Sequence, residues 1–241
     1  MKSKALVLLS SLVFAGSVFA QTAATPDYTL SYNVGVVSDY RYRGISQSRL
    51  KPALQGGVDF AHSSGFYVGT WASTIKWIKD AGGDSNVEID VYGGYKFNAG
   101  PVGVDVGALR YFYPGSSLGV NPDTTELYAA GTWGPATLKY SHAVTNLFGF
   151  ADSKGSYYLD LTATFPIGES GFSVTPHIGY QKVKNNSAAS YTDYSIALGY
   201  DFKNGLTASL AWVDTDNNSY LAPNGKNLGK SGAVLGLKYA F

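Results

Sequence analysis

From about Asp27 to its last residue the chain alternates apolar and polar side chains with a period of two. The C-terminal stretch is the clearest case. Leu235, Leu237, Tyr239 and Phe241 share one face, and Gly236, Lys238 and Ala240 share the other. Residues 194–202 repeat the design, setting Ile196, Leu198, Tyr200 and Phe202 opposite Ser195, Ala197, Gly199 and Asp201. In 86–97, Val87, Ile89, Val91, Tyr95 and Phe97 oppose Glu88, Asp90, Tyr92 and Lys96. Successive side chains of a strand point to opposite faces, so this period marks strands with one apolar and one polar side. Twelve such segments are predicted, near 28–38, 52–61, 66–77, 86–97, 101–112, 123–133, 135–145, 155–165, 171–182, 190–202, 205–215 and 231–241. They are about twice as long as the five or six residues usual in soluble sheets, and long enough to cross an apolar layer at a tilt.

The connections alternate in length. Short ones carry turn residues: His62-Ser63-Ser64-Gly65, Asn98-Ala99-Gly100, Gly134, Ile167 to Ser170, and Lys203-Asn204. Longer ones cover 39–51, 78–85, 113–122, 146–154, 183–189 and 216–230. Short turns at one end and long polar loops at the other are the plan of bacterial outer-membrane barrels. A sheet edge facing lipid would leave N–H and C=O groups unsatisfied at several kcal/mol each. The sheet is therefore expected to close, with 28–38 pairing antiparallel to 231–241. The predicted fold is all-β: an antiparallel transmembrane β-barrel of the outer-membrane type with about twelve strands. A soluble sandwich would show similar alternation, but not strands of this length or loops of such unequal size.

The N-terminus sets the context. Lys2 and Lys4 precede an apolar run from Ala5 to Phe19, and Val18-Phe19-Ala20 offers a cleavage site before Gln21. This reads as a secretory signal peptide over residues 1–20, with residues 21–241 forming a single barrel domain. Cleavage removes two of the 18 basic residues, leaving 16 against 17 acidic ones, a formal charge of −1. That balance gives no footprint for nucleic acid. Without cysteine, disulfides and thiolate chemistry are excluded. The 29 glycines, 19 tyrosines and 12 phenylalanines suit a sheet better than helices.

Two stretches carry a family resemblance. Ser38-Asp39-Tyr40-Arg41-Tyr42-Arg43-Gly44-Ile45-Ser46-Gln47-Ser48, leading into Pro52-Ala53-Leu54-Gln55-Gly56-Gly57, resembles the opening of the TorF family of porin-type proteins. So does Ser64-Gly65-Phe66-Tyr67-Val68-Gly69-Thr70-Trp71-Ala72-Ser73. The resemblance implies a proteobacterial outer-membrane barrel and speaks to location and architecture more than to any transported solute. Val234 to Phe241 also resembles the C-terminal signal by which such barrels are recognised for insertion. Leu235, Leu237, Tyr239 and Phe241 are its alternate apolar positions, and the barrel-assembly machinery is the partner it implies.

The face opposite the lipid carries Gln55, Asp59, Glu88, Asp90, Lys96, Asp105, Glu126, Lys139, Asp160, Thr162, His177, Asp201 and Lys238. Seven carboxylates against three lysines predict a modest preference for cations. Arg41, Arg43 and Arg49, with Asp39 and Tyr40, fall where the first strand meets the first long loop. There they either touch a solute at a constriction or pair with lumen carboxylates and fix the loop. Trp77, Tyr111, Tyr113, Trp133, Phe165, Phe202, Trp212 and Tyr239 lie near predicted strand ends and suit interfacial girdles, whereas Trp71 falls mid-strand and is a candidate to fill the interior.

Chemistry beyond permeation finds little support. His62 falls in a turn, His142 on the lipid register and His177 inward, with no serine partner that can be argued. The acidic runs Asp80–Asp84 and Asp214–Asn218 lack the ligand spacing of a calcium loop. No HExxH or paired-histidine spacing and no nucleotide fingerprint occurs. Gly56-Gly57 and Gly93-Gly94 interrupt strands, where glycine permits curvature or relieves crowding of the lumen. The sequence thus predicts a non-enzymatic channel without metal or cofactor that passes ions or small polar solutes, embedded in outer-membrane lipid as a monomer. The alternative is a non-conducting barrel whose external loops bind partners, and below it an outer-membrane hydrolase.

Overall fold

The computed structural model describes residues 26–241, so the predicted signal peptide lies outside the described residues. The strands, in chain order, are β1 (Tyr28–Val37), β2 (Arg41–Tyr42), β3 (Ile45–Ser46), β4 (Ala53–His62), β5 (Phe66–Thr74), β6 (Val87–Ala99), β7 (Val102–Phe112) and β8 (Thr124–Trp133). They continue with β9 (Ala136–Ala143), β10 (Tyr157–Ala163), β11 (Phe165–Pro166), β12 (Phe172–Lys182), β13 (Tyr191–Asp201), β14 (Leu206–Thr215) and β15 (Gly232–Ala240). β10 and β11 both pair with β12 and make one interrupted stave. β2 and β3 form a separate small hairpin. The rest is a closed, antiparallel, twelve-stranded barrel in which each stave pairs with its neighbours in sequence.

Closure follows the expected seam, with Asn33 opposite Ala240 and Val37 opposite Gly236. Phe241 extends it by exchanging backbone hydrogen bonds with Tyr32. The outer wall is apolar along alternate positions; Leu30, Val34, Leu54, Val68, Val91, Leu127, Leu161, Ile196, Leu210 and Leu237 are all exposed there. Apolar surface this continuous is stable only against lipid or another apolar partner.

Inside, glycine and tyrosine are matched across strands. Gly69 sits opposite Tyr92 and Gly94 opposite Tyr67; Gly107 sits opposite Tyr128. A Cβ on Gly69 would fall 2.5 Å from the Tyr92 ring, and one on Gly107 would fall 2.5 Å from the Tyr128 hydroxyl. Each tyrosine lies over the bare backbone of its neighbour, a cross-strand pairing that shields the glycine and fixes the ring. These glycine–tyrosine pairs thus serve the inner face, while Tyr28, Tyr32, Tyr140, Tyr180, Tyr194 and Tyr239 stand on the outer wall. Gly107→Val is expected to evict Tyr128 and cost about 1–3 kcal/mol by overpacking, read as an earlier urea midpoint of the detergent-folded barrel. An unchanged midpoint would mean that both the ring and the Gly93 carbonyl, which a Cβ would also meet at 2.5 Å, give way without cost.

The buried core lies at the loop end of the barrel. Tyr40, Ala53, Ile75, Ile78, Tyr111 and Tyr113 form its largest cluster. Ile45, Tyr191, Ala222 and Leu228 form a second, and Ala143, Leu147 and Val183 a third. Several of these residues belong to the long connections, which are therefore packed structures and not merely solvated loops. One holds a short helix, α1 (Trp77–Asp80), which buries Ile78. β5 stops at Thr74, short of the predicted 66–77, and the N–H groups of Lys76 and Trp77 are taken by the Gln47 carbonyl of the first loop.

The girdle divides accordingly. Trp133 (70% exposed), Phe165, Phe202, Trp212 and Tyr239 stand on the outside. Trp77, Tyr111 and Tyr113 do not: Tyr111 and Tyr113 are buried inside, with Trp77 packed against them. Nearness to a strand end suggested a girdle, but Tyr111 has the inward parity of Asp105. Trp71 also points inward and meets Tyr40 edge-on at 5.4 Å.

Candidate functional site

The first loop does not stand away from the barrel. Between Asp39 and Ser48 the chain folds inward as the β2–β3 hairpin, whose turn places Arg43 at φ 46° and Gly44 at φ 80°. Its base is tied by Asp39, whose carboxylate accepts from Arg41 Nε at 2.5 Å, Ser46 Oγ at 2.5 Å and Ser48 Oγ at 3.1 Å. Arg41 Nη1 also donates to the carbonyls of Gly44, Leu228 and Lys230, each at 3.0 Å, which ties the hairpin to the last loop. Outside the hairpin, Arg49 pairs with Asp80.

The tip spans the lumen. The Arg43 guanidinium donates to both Glu126 oxygens on β8, at 3.0 and 2.7 Å, and to Gln181 Oε1 on β12 at 2.6 Å. It lies over the rings of Tyr42 and of Tyr158 on β10, 4.8 and 4.2 Å from their centroids. Tyr42 shares a 2.6 Å hydroxyl contact with Tyr111 of β7, which donates onward to Glu126 at 3.2 Å. Gly44 is pressed so closely to Asp193 of β13 and Thr215 of β14 that any Cβ would collide with them, at 2.8 and 2.5 Å. The hairpin thus meets walls on both sides of the barrel. The Arg43 and Glu126 side chains are 7% and 1% exposed. Burial alone would favour a neutral Arg43, but the charge of Glu126 beside it holds the guanidinium protonated, with a pKa above its ordinary value.

Glu88 and Asp90 share this level. Both Glu88 oxygens are capped by hydroxyls, from Tyr40 at 2.6 Å and Tyr113 at 2.9 Å. Asp90 is buried nearby on the same face of β6, and its Oδ1 makes no hydrogen bond.

Toward the turn end the lumen is asymmetric. From β4 to β9 the wall carries Asp59, Tyr67, Trp71, Tyr92, Lys96, Asp105, Tyr128 and Lys139 on its inward alternation. Asp59 accepts from Tyr92 at 2.6 Å and Asp105 from Tyr67 at 2.6 Å. Lys96 and Lys139 lie over the Tyr67 and Tyr128 rings at 4.4 and 4.3 Å. From β13 to β15 the middle of the wall carries Ser195, Ala197, Gly199, Ser209, Ala211 and Gly236, with Asp201, Thr207 and Lys238 nearer the turns, and the lumen-facing Ser209 is exposed to solvent. The side chains in the middle of this wall are smaller than those of the wall from β4 to β9.

Of the candidate site residues, the structure gathers Arg41, Arg43, Glu88, Asp90 and Glu126 at the hairpin level. Asp59, Lys96, Asp105, Lys139, Asp160, His177, Asp201 and Lys238 line the wall toward the turns. His177 is held by Asp160, at 2.8 Å from Nε2, with Asp193 3.6 Å from Nδ1. His142 faces outward, and His62 Nδ1 meets the Ser64 hydroxyl and N–H within its turn. Among the described residues no cluster of three metal-ligating side chains occurs. Sequence reasoning missed Asp39 as the hairpin anchor, and Tyr158, Gln181 and Asp193 as its walls. Asp193 shares the inward parity of Ser195 and Asp201, which was signal enough to find it.

A family model described as a bacterial protein of unknown function, Gcw_chp, matches residues 20–241. The chain belongs to the Gcw_chp family. No curated protein matches it. Among solved structures, the KdgM porin in complex with disordered oligogalacturonate is 9% identical, covering 88% of this chain and 98% of its own, with a TM-score of 0.56. The NanC porin is 14% identical, covering 88% and 99%, with a TM-score of 0.57. An outer-membrane channel from Pseudomonas putida F1 is 14% identical, covering 90% and 96%, with a TM-score of 0.50. At these identities the likeness is one of fold: this Gcw_chp chain has the architecture of outer-membrane porin-type barrels.

Proposed function

We propose that this chain is an outer-membrane channel for ions and small polar solutes, closed at its loop end by the docked first-loop hairpin. The exposure of lumen-facing Ser209 carries this reading. An interior lined by small and polar groups and reached by solvent is a passage, whereas a structural barrel is filled by its side chains. The apolar outer wall, the export signal predicted from the first twenty residues and the resemblance to TorF proteins support residence in the outer membrane of a Gram-negative cell. The last strand supports delivery by the barrel-assembly machinery. A closed barrel satisfies its own backbone, so we take the monomer as the working unit.

The lumen charge speaks against a strong preference. Three of the seven candidate carboxylates, Glu88, Asp90 and Glu126, are buried at the hairpin level, and Arg43 neutralises the last. Below them Asp59, Asp105, Asp160 and Asp201 face Lys96, Lys139 and Lys238, which favours cations weakly. KdgM holds an acidic oligosaccharide; here Arg41 and Arg43 are committed to internal partners, so that solute is not carried over.

Single-channel recording of the refolded barrel in planar bilayers tests the reading. Brief openings from a mostly closed state are expected, with a slight cation preference in a salt gradient; a clear anion preference would overturn the selectivity. Silence from the inserted protein, and equally from a barrel whose hairpin has been released, would overturn the channel. It would favour a second reading, supported by the packing of the hairpin across the lumen, of a sealed barrel that presents its loops to partners.

A further inference from the structure

The outer surface carries a basic cluster that neither the channel nor the fold uses. His142 of β9, Tyr157 of β10 and Lys182 of β12 lie side by side across three staves, since Tyr157 is in register with both of the others. All three have the outward parity of their strands, at the loop end. Just beyond them a cleft of about 420 Å³ is lined by His142, Val144, Asn146, Asp152, Lys154, Gly155 and Lys184. Gly155 forms its floor: a Cβ there would stand 3.6 Å from Lys184 Nζ and 4.0 Å from the His142 ring. Lys154 and Lys184 are exposed. Neither they nor Lys182 takes part in the ion pairs formed among the described residues. Asp152 is the one carboxylate in the lining.

Below the cluster, toward the turn end, the same staves are apolar. Leu138, Tyr140, Leu159, Leu161, Ile178 and Tyr180 stand exposed on them. The neighbouring sector differs in sign. There Asp214 and Asp216 occupy the outer rim, held by Tyr194 Oη and Thr192 N–H. The chemistry of the β9–β12 sector is that of an amphiphile with an anionic head: cations at the rim, tyrosines at the boundary, and a greasy wall beneath.

We infer that this sector binds a phosphate-bearing lipid of the outer leaflet, with its phosphate among Lys154, Lys182, Lys184 and His142 and its acyl chains along β9, β10 and β12. Lysine serves a phosphate as a point charge and needs no planar geometry, and the shallow, open depression brings Lys154, Lys184 and His142 to one spot on the rim. The inference rests on the loop end being the outer face of the membrane and is independent of whether the lumen conducts.

The test is binding by the full barrel, reconstituted in phosphatidylcholine nanodiscs doped with diphosphoryl lipid A, and followed by native mass spectrometry of retained lipid. The wild type is expected to retain diphosphoryl lipid A in preference to phosphatidylcholine. The K154Q/K182Q/K184Q variant is expected to lose affinity on the order of a hundredfold, since each lysine acts on an anionic head group nearly independently. Lys51→Gln with Lys226→Gln, exposed lysines of other loops, should change nothing. Inorganic pyrophosphate should compete poorly, because it lacks the acyl chains; full displacement by it would mean a free-phosphate site and overturn the lipid assignment. Equal retention by wild type and triple variant, or equal retention of a dephosphorylated lipid, would overturn the site. A barrel that fails to insert into the discs at all would instead overturn the membrane reading on which the inference stands.

Discussion

Replacing Arg43 with alanine is expected to turn a mostly closed barrel into one that conducts for long periods. The Arg43 guanidinium is the tip contact of the hairpin, bonded to Glu126 and Gln181 and lying over two tyrosine rings. Removing one partner of a buried ion pair leaves the other charge uncompensated, which costs about 3–5 kcal/mol. Part of that cost is avoided if Glu126 regains water, and the hairpin is the element whose departure admits it. The single substitution therefore favours the undocked state. Glu126→Gln tests the same contact from the wall: it removes the charge, keeps hydrogen-bonding capacity, and is expected to open the channel less. The double variant Arg43→Met with Glu126→Leu refills the site with apolar volume. Such replacements are often neutral or stabilising, so it should stay closed. Open probability in planar bilayers, paired with limited proteolysis of the 38–52 loop, reads both ends of the argument. An Arg43→Ala barrel with wild-type currents and a protease-resistant loop would show that the pair does not hold the hairpin.

The hairpin was also the part least legible in the sequence. Strands announce themselves by a period of two, and one lipid face and one lumen face impose that period over ten residues at a time. The closing pair of terminal strands follows from the need to satisfy edge groups, and Asn33 against Ala240 is the result. β2 and β3 are two residues each, too short to show a period, and what folds them inward lies far along the chain. Glu126, Tyr158, Gln181 and the carbonyl of Leu228 are between 83 and 187 residues from the hairpin positions they bond or the wall they share. The arginines were conspicuous, and both readings of them, solute contact or internal pairing, were available; the structure shows Arg41 and Arg43 bonded to internal partners. Parity, by contrast, held where it was applied. Of the three misplaced aromatics, Trp77, Tyr111 and Tyr113, all were assigned by distance from a strand end, and the parity of Tyr111 and Tyr113 with Asp105 already placed those two inside.

The same contacts change what the lumen carboxylates mean. Counted along the chain they make a field; placed in the barrel, most are acceptors. Glu88 takes two tyrosine hydroxyls, Asp59 and Asp105 one each, and Asp193 that of Tyr158 through both oxygens. A carboxylate that orients a ring does so by staying in place beside it; Tyr67, Tyr92 and Tyr158 in turn shield a glycine, whereas Tyr40 and Tyr113 pack on Trp71 and Trp77. The interior is thus a scaffold of tyrosine–carboxylate pairs facing the small-residue wall, and on the channel reading proposed above the charge left to a solute is a small remainder.

Phe241→Ser is expected to separate assembly from stability. The ring is 67% exposed on the outer wall and stacks on Tyr32 at 5.7 Å and on Tyr239 at 5.8 Å. The seam itself is made by backbone: Tyr32 and Phe241 exchange N–H···O bonds of 2.9 and 3.0 Å that a serine would keep. Loss of the ring contacts should therefore cost the refolded barrel only about 0.5–1.5 kcal/mol, a small shift in its urea midpoint. In cells the effect should be far larger. If the last strand is what the assembly machinery reads, a chain without the terminal aromatic stalls in the periplasm before any seam can form. Measuring the membrane-inserted fraction beside the refolded midpoint distinguishes the two roles. Equal losses in both would make Phe241 a structural closing residue and nothing more. A wild-type inserted fraction would mean that Leu235, Leu237 and Tyr239 suffice as the signal, since they present the same apolar face three, two and one alternate positions earlier.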